Sequence, residues 1–312
     1  MQSGGISDIK QSRRNHWRRE LRPVVLPIFF GLLTSLCFGI ASLLAQRGYH
    51  VGPAPWGAWI TIVVNAAFLL GFHFIVEGET RLWVADNLIF VAIGLFVPGA
   101  TRVLSFRGIR TLGSSITSTI VNTTPMFSTL LAIAILGERP PALVLLGVLL
   151  TVGGLVTVSW SGAQTSYKKI EVMFPFLCAL LFAGKDIAVR WGLGDGGGQP
   201  ILAAGVAALT STVEIFLLTR YGQGEKFALP ARPVARWFIW SGIFTGGSFL
   251  FMYVAFSMER VSIVAPLINS YTVFVAILTP FMARQIESVT GKKLAGAALV
   301  VAGKFAVALG KD

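Results

Sequence analysis

Five ionisable side chains lie within long apolar runs of the sequence: Arg102, Lys185, Asp186, Glu214 and Lys304. A charge in the hydrocarbon of a bilayer costs at least about 2.5 kcal/mol on insertion scales, so such a group is kept where it faces a watery cavity or a partner. Around a shared cavity, these side chains could bind a charged solute or relay protons. Three basic groups against two acidic groups favour an anionic or zwitterionic solute.

A structural interpretation competes with the functional one at each position. Arg102 lies near the end of its run, from where its side chain can extend to the membrane surface. Asp186 and Arg190 are spaced i, i+4 and can pair on one helix face. Glu214 and Lys304 lie deeper in their runs and can form a fixed pair between two helices. The sequence leaves these alternatives open.

Neutral polar side chains also lie in the middle of apolar runs, at Asn122, Asn269 and Tyr271. An asparagine in hydrocarbon usually bonds to a neighbouring helix, and lining a cavity is the alternative. Together with the charged groups they give eight candidate substrate-pathway residues. These are Arg102, Asn122, Lys185, Asp186, Glu214, Asn269, Tyr271 and Lys304.

The composition is that of a membrane domain that must hold these residues in lipid. Of the 312 residues, 54% are hydrophobic and only 13% are charged, whereas soluble domains have about 25% charged residues. A helix needs about 20 apolar residues to cross a bilayer. The sequence has ten such runs, near 24–45, 58–76, 87–106, 114–136, 142–160, 172–191, 201–219, 237–256, 262–283 and 294–309. It therefore predicts an all-α integral membrane protein with ten transmembrane helices.

The ten runs form two similar halves. A shift of 149 residues superimposes Glu138 on Glu287, Gly147 on Gly296 and Gly154 on Gly303 without a gap. The predicted organisation is a basic tail (1–23), a first five-helix repeat (24–160), a linker (161–171) and a second repeat (172–312). Because five is odd, the second repeat enters the membrane in the opposite orientation. A 5+5 inverted repeat is a usual skeleton of secondary transporters.

Part of the sequence resembles the EamA-type permeases of the drug/metabolite transporter superfamily. The similarity lies in Pro125, in Leu136-Gly137-Glu138-Arg139 and in the glycines of the fifth run, Gly147, Gly153 and Gly154. The second copy departs from this pattern, with Phe274 in place of the proline and Ile286 in place of the glycine before glutamate. The resemblance implies a 5+5 bundle, alternating access, and export or exchange of small metabolites without ATP. We expect Glu138 and Glu287 to stabilise helix ends rather than bind solute.

The predicted partners are a small-molecule solute and membrane lipid. The formal net charge of +12 includes a basic tail ahead of the first run, where the anionic surface of a cytoplasmic leaflet would hold it. The expected location is therefore the cell membrane, with both termini in the cytoplasm. Basic loops around 220–236 would then lie outside, which the positive-inside rule disfavours. No nucleic-acid recognition fold follows the tail, so nucleic acid is not an expected partner.

Two other classes of function remain open. A membrane enzyme acting on lipid would need a catalytic cluster, but only His73 of the three histidines lies in a predicted span. A scaffold or receptor that transports nothing would tolerate apolar residues at Glu214 and Lys304. The sequence has no phosphate loop and no metal or catalytic motif, so we expect no cofactor. It leaves the solute, the coupling ion and the oligomeric state open.

Overall fold

The computed structural model describes residues 5–77, 87–112, 114–159, 169–194, 199–282 and 291–310, and these residues form helices without any strand. The predicted linker lies mostly outside the described residues, as do Glu287 and Ile286. The α-helices are α1 Gly5–Val51, α2 Gly57–Glu77, α3 Leu88–Phe96, α4 Gly99–Leu112, α5 Ser114–Val121, α6 Thr124–Leu136, α7 Ala142–Ser159, α8 Met173–Leu193, α9 Pro200–Leu217, α10 Arg232–Met258, α11 Val261–Ile268, α12 Tyr271–Met282 and α13 Gly291–Leu309.

Eight segments of the described chain are long and apolar enough to cross a membrane. Three of these segments consist of two consecutive helices, namely α3 with α4, α5 with α6, and α11 with α12. Two further apolar helices are shorter, at Ala142–Thr157 and Ala298–Leu309. The all-α membrane class is thus confirmed, whereas the count of ten spans stays a prediction.

Two of the divided segments break at an asparagine. Asn122 and Thr123 separate α5 from α6, and Asn269 and Ser270 separate α11 from α12. A break leaves backbone carbonyls without helical partners, which lipid cannot satisfy. Hydroxyl groups bond several of these carbonyls: Thr123 Oγ1 donates to Ile120 O at 2.6 Å and Ser270 Oγ to Pro266 O at 2.6 Å. Polar side chains in mid-span therefore stabilise the two breaks.

Glycines bring α7 and α13 into close antiparallel contact. A Cβ atom built on Gly147 would lie 2.6 Å from the carbonyl oxygen of Gly303, and one built on Gly154 would lie 2.6 Å from that of Gly296. The residue numbers run in opposite directions, so the two helices are antiparallel. Small residues permit this approach of two backbones, which supplies van der Waals contact in a medium without a hydrophobic driving force.

The Gly137-Glu138 pair joins the end of α6 to the start of α11. Gly137 ends α6 with φ 68°, a left-handed conformation that glycine adopts without a Cβ penalty. The carboxylate of Glu138 then accepts hydrogen bonds from the backbone N–H groups of Val261 at 2.7 Å and Ser262 at 3.0 Å. An anion at this position accepts hydrogen bonds from the free N–H groups at the start of the helix and interacts favourably with the positive end of the helix dipole. Glu138 thus stabilises the first turn of another helix, which fixes two segments of the chain to each other.

Candidate functional site

A cavity of about 330 Å³ lies among helices from both ends of the sequence. Its wall combines apolar side chains with a few hydroxyl, amide and amino groups. The lining residues are Phe38, Ala41, Ser42, Ala45, Val121, Asn122, Thr124, Phe182, Lys185, Ser241, Thr245, Met252, Ile268, Asn269 and Tyr271. A mostly apolar cavity of this size with a few polar groups is typical of a binding site for a small molecule.

Four of the eight predicted pathway residues line this cavity: Asn122, Lys185, Asn269 and Tyr271. Asn122 and Asn269 lie at the two helix breaks, and Tyr271 begins the helix that follows the second break. The Asn269 side-chain amide donates to Ala265 O at 2.9 Å, while the ring of Tyr271 lies 5.9 Å from that of Phe38. The breaks in the two segments therefore place irregular backbone and polar side chains at one cavity.

The charge at the cavity belongs to a pair of adjacent residues on α8. Lys185 Nζ lies 2.8 Å from Asp186 Oδ1, and the second carboxylate oxygen of Asp186 accepts a hydrogen bond from Ser128 Oγ at 2.7 Å. Asp186 is 1% exposed, whereas Lys185 lines the cavity and its Nζ lies 3.5 Å from the sulfur of Met252. Asp186 therefore pairs with Lys185 and not with Arg190, the alternative that the sequence left open. A buried carboxylate thus holds one cation against the cavity wall.

A layer of buried residues lies on one side of the cavity. We name the two ends of the bundle after nearby arginines. The Arg260 end is where α6, α8 and α10 finish and α11 begins. The Arg232 end is where α1 finishes and α10 begins. The α1 and α10 residues that line the cavity, such as Ala41 and Ser241, lie toward the Arg232 end. Toward the Arg260 end, the residues that follow the cavity lining on α6, α8 and α10 are fully or almost fully buried. They are Ser128, Asp186, Tyr253 and Phe256. These four residues form a closed layer on the Arg260 side of the cavity.

Glu214 lies away from the cavity, at the break between α3 and α4. One of its carboxylate oxygens accepts a hydrogen bond from the backbone N–H of Gly99 at 2.8 Å, and it occupies the space that a side chain at position 99 would need. Three residues earlier, Ser211 Oγ donates to Gly94 O at 3.1 Å. α9 therefore supplies both an acceptor and a donor for the backbone groups that the break leaves free.

We expect Glu214→Leu to lower stability by about 1–3 kcal/mol, because the Gly99 N–H would lose its acceptor in a water-poor site. Glu214→Gln keeps an amide oxygen for that N–H and should lose less. Both variants should keep the wild-type KM for a transported solute, since the side chain does not line the cavity. Melting temperature and transport kinetics measure the two effects separately. A raised KM in Glu214→Gln with an unchanged melting temperature would instead place Glu214 in the solute path.

Lys304 and Arg102 also lie outside the cavity wall. Lys304 Nζ lies over the ring of Phe274, 5.1 Å from its centroid, and Phe274 lies one helical turn after Tyr271. Arg102 lines a separate pocket of about 390 Å³ with Leu218 and Gly222 near the end of α9. Glu214 contacts Gly99 and Lys304 contacts Phe274, so the predicted pair between Glu214 and Lys304 does not form in the described residues.

Several residues at the site are not predicted by the sequence. Ser128 donates to the buried carboxylate, and Phe38 and Phe182 contribute aromatic surface to the cavity. The hydroxyl groups that line it include those of Ser42, Thr124, Ser241 and Thr245. Serine, threonine and phenylalanine are common in membrane helices, so their presence in a span carries little information.

The chain was compared with protein families, with solved structures and with curated proteins. Residues 25–160 match the model of the EamA-like transporter family. A solved structure described as "Crystal structure of protein" superimposes with a TM-score of 0.75 and 16% identity, over 91% of this chain and 96% of that one. At this identity the likeness concerns the fold alone. A search of curated proteins gave no match. The match over residues 25–160 confirms the predicted resemblance to the EamA-like transporter family, and together with the apolar helices it supports a multi-pass membrane protein.

Proposed function

We propose that the protein is a secondary transporter that moves a small organic solute across the cell membrane by alternating access. The observation that carries this proposal is the cavity of about 330 Å³, which has one ion-paired cation and a closed layer on its Arg260 side. In each end state of an alternating-access cycle, a layer of this kind separates a central cavity from one side of the membrane. We place both termini in the cytoplasm, as the basic tail predicts.

Contacts between equivalent helices support a 5+5 inverted repeat of ten spans. Helices at corresponding positions of the two halves run antiparallel wherever contacts between them show their relative direction. In α7 and α13, Gly147 approaches Gly303 while Gly154 approaches Gly296. In the segments of α6 and α11, the end of one meets the start of the other through Glu138 and Val261. Two copies in opposite orientation would produce this pattern.

The helices of the second and seventh predicted spans, α2 and α9, are also antiparallel. In α2 and α9, the ring of Trp56 lies 5.2 Å from that of Phe216, while a Cβ built on Gly205 would lie 2.7 Å from the side chain of Leu70. The residue numbers again run in opposite directions. Equivalent spans thus contact each other near the axis that would relate the two halves.

The cavity wall favours a solute with an anionic or zwitterionic head and an apolar body. Lys185 supplies a cation for a carboxylate, and the amides of Asn122 and Asn269 can donate to or accept from the same head group. Phe38, Phe182 and the neighbouring aliphatic residues offer surface to an apolar body. Amino-acid-like metabolites combine these features at a size that such a cavity accepts.

The test is a counterflow assay with purified protein in liposomes loaded with unlabelled candidate solutes. An alternating-access carrier should accumulate external label transiently when the same solute fills the lumen, because each turnover returns a loaded site. The panel should compare hydrophobic amino acids, their decarboxylated amines and their amides. We expect counterflow with the carboxylate-bearing solutes and little with the amines.

Folded protein that gives no counterflow with any solute of the panel would overturn the proposal and favour a scaffold or receptor. Flux without counterflow would indicate a channel. The enzyme alternative rests on His73, which is completely buried on α2 with its ring 6.1 Å from that of Phe74. Turnover of a labelled lipid that His73→Ala abolishes would revive that alternative.

A further inference from the structure

A second concave site lies at the Arg260 end of the bundle, on the opposite side of the closed layer from the cavity. It is a groove of about 500 Å³ lined by Leu136, Gly137, Glu138, Arg139, Arg190, Trp191, Gly194 and Arg260. Its basic side chains come from three separate parts of the chain: the turn after α6, the last turn of α8 and the turn before α11. The fold therefore gathers three guanidinium groups that are distant in the sequence.

The electrostatics of the groove favour an anion. Among the residues that line the groove, three arginines stand against one carboxylate, that of Glu138, while the carboxylate of Glu259 lies beside Arg260 without lining the groove. The oxygens of Glu138 accept from Val261 N, from Ser262 N at 3.0 Å and from Ser262 Oγ at 2.6 Å. These donors and the start of α11 partly offset the charge of Glu138, and both of its oxygens are occupied by these contacts rather than by an arginine.

The arginines differ in how firmly they are held. Arg190 is half-buried, and its Nη1 donates to the carbonyl oxygens of Gly194, Phe256 and Ser257 at 3.1–3.2 Å. Arg139 and Arg260 are exposed at the two sides of the groove. One anchored guanidinium with two exposed ones suits a ligand that docks from the surface. Planar guanidinium groups bind phosphate through paired hydrogen bonds, and basic pockets between membrane helices bind lipid head groups.

Trp191 indicates where the groove meets the bilayer. Its side chain lines the groove and is 71% exposed, although it follows directly on the buried part of α8. Tryptophan is enriched at the boundary between lipid and water, where its ring lies at head-group depth. The exposed ring beside three arginines is therefore consistent with a groove open to the head-group layer.

We propose that this groove binds a phosphate group, presented by the head group of an anionic phospholipid at the membrane surface. The site is distinct from the solute cavity and does not depend on which solute the protein transports. Arg139 belongs to the first half of the sequence and Arg190 and Arg260 to the second. A bound phosphate would therefore link the two halves at their closed end.

The test measures lipid retention in nanodiscs or by native mass spectrometry, with phosphatidylglycerol against phosphatidylcholine. Wild-type protein should retain phosphatidylglycerol preferentially, and Arg139→Gln/Arg260→Gln should reduce that preference about tenfold, as the loss of charge-assisted bonds predicts. The control is Lys226→Gln/Arg232→Gln, which removes the same charge from exposed positions near the Arg232 end and should retain the wild-type preference. A parallel arm titrates soluble glycerol phosphate and follows the melting temperature.

The arms separate the possible sources of the phosphate group. Stabilisation by glycerol phosphate at low millimolar concentration that depends on Arg139 and Arg260 would identify a free phosphate ester as the ligand and overturn the lipid assignment. Equal loss of phosphatidylglycerol in both double variants would reduce the effect to net charge and overturn the site. Equal retention in all three proteins would overturn it as well. Size-exclusion profiles of the variants establish that each remains folded.

Discussion

Asp186→Asn is expected to destabilise the protein strongly, by about 3–5 kcal/mol, because it removes one partner of a buried ion pair. The carboxylate is 1% exposed and lies 2.8 Å from Lys185 Nζ. Asparagine has the same size and can still accept the hydrogen bond from Ser128. What it cannot do is balance the charge of Lys185 in a medium of low dielectric constant. Thermal unfolding in a mild detergent measures the loss.

The double variant Lys185→Met/Asp186→Asn separates the two roles of the pair. Replacing both charges removes the uncompensated cation, so most of the lost stability should return. Transport should not return, because the only cation that lines the cavity among the described residues would be missing. We expect uptake of a carboxylate-bearing solute to fall about 10- to 100-fold, the value of one or two hydrogen bonds to a charged group.

Two further variants complete this experiment. Ser128→Ala removes one neutral donor from Asp186 and should cost about 1 kcal/mol, much less than the loss of charge balance. Lys185→Met alone leaves Asp186 as the unpaired charge and should be destabilised like Asp186→Asn. A double variant that folds and transports at the wild-type rate would show that the cation plays no part in binding the solute. A stable Asp186→Asn would contradict the role of the pair in holding the fold.

The sequence was informative about the polar groups at the cavity because lipid makes such groups costly wherever they occur. Asn122, Asn269 and Tyr271 were identified by their position within apolar runs, and the structure places all three at the cavity. Lys185 was identified by the same reasoning. The Asn269 amide bonds to Ala265 O beside a helix break, and a buried counter-ion pairs with Lys185. Both arrangements are ways to satisfy a polar group in lipid.

The same reasoning could not assign Glu214, because depth along a span does not give the direction in which a side chain points. Its partner is the backbone of Gly99, more than one hundred residues away in the sequence. Gly99 lies at a helix break, and the apolar run around it gives no sign of that break. Lys304 is similar, since its neighbour Phe274 is an ordinary aromatic residue. Contacts with backbone or with aromatic faces leave no charge pattern in the sequence.

The sequence predicts an internal repeat, but it does not predict how the two copies would pack. A shift of 149 residues equates Gly147 with Gly296 and Gly154 with Gly303. In the structure each glycine contacts the counterpart of the other, Gly147 with Gly303 and Gly154 with Gly296. This exchange is what a two-fold axis between two copies produces, and alignment of the copies alone cannot show that they touch. The boundaries of the two repeats stay a prediction.

The contact between α7 and α13 leads to the second large expected effect. Gly154→Ala should destabilise the protein by about 1–3 kcal/mol, the usual cost of overpacking, because its Cβ would lie 2.6 Å from the carbonyl oxygen of Gly296. Gly154→Val should cost more, since the obstructing atom belongs to backbone and cannot rotate away. The neighbouring Gly153 is the matched control: it is exposed on the same helix, and a Cβ there meets no atom within 4 Å.

Comparing neighbouring positions removes the effects that any glycine replacement shares. Alanine at 153 or at 154 restricts the unfolded chain and favours the helix to a similar extent, so the difference in melting temperature reports the helix contact alone. Gly147→Ala should behave like Gly154→Ala, because the exchanged contact with Gly303 has the same 2.6 Å approach. Equal melting temperatures for Gly153→Ala and Gly154→Ala would mean that the two helices are farther apart than described. If instead position 154 alone is sensitive and position 147 is not, α7 and α13 meet at one crossing point, and the two-fold relation between the halves does not extend along this pair.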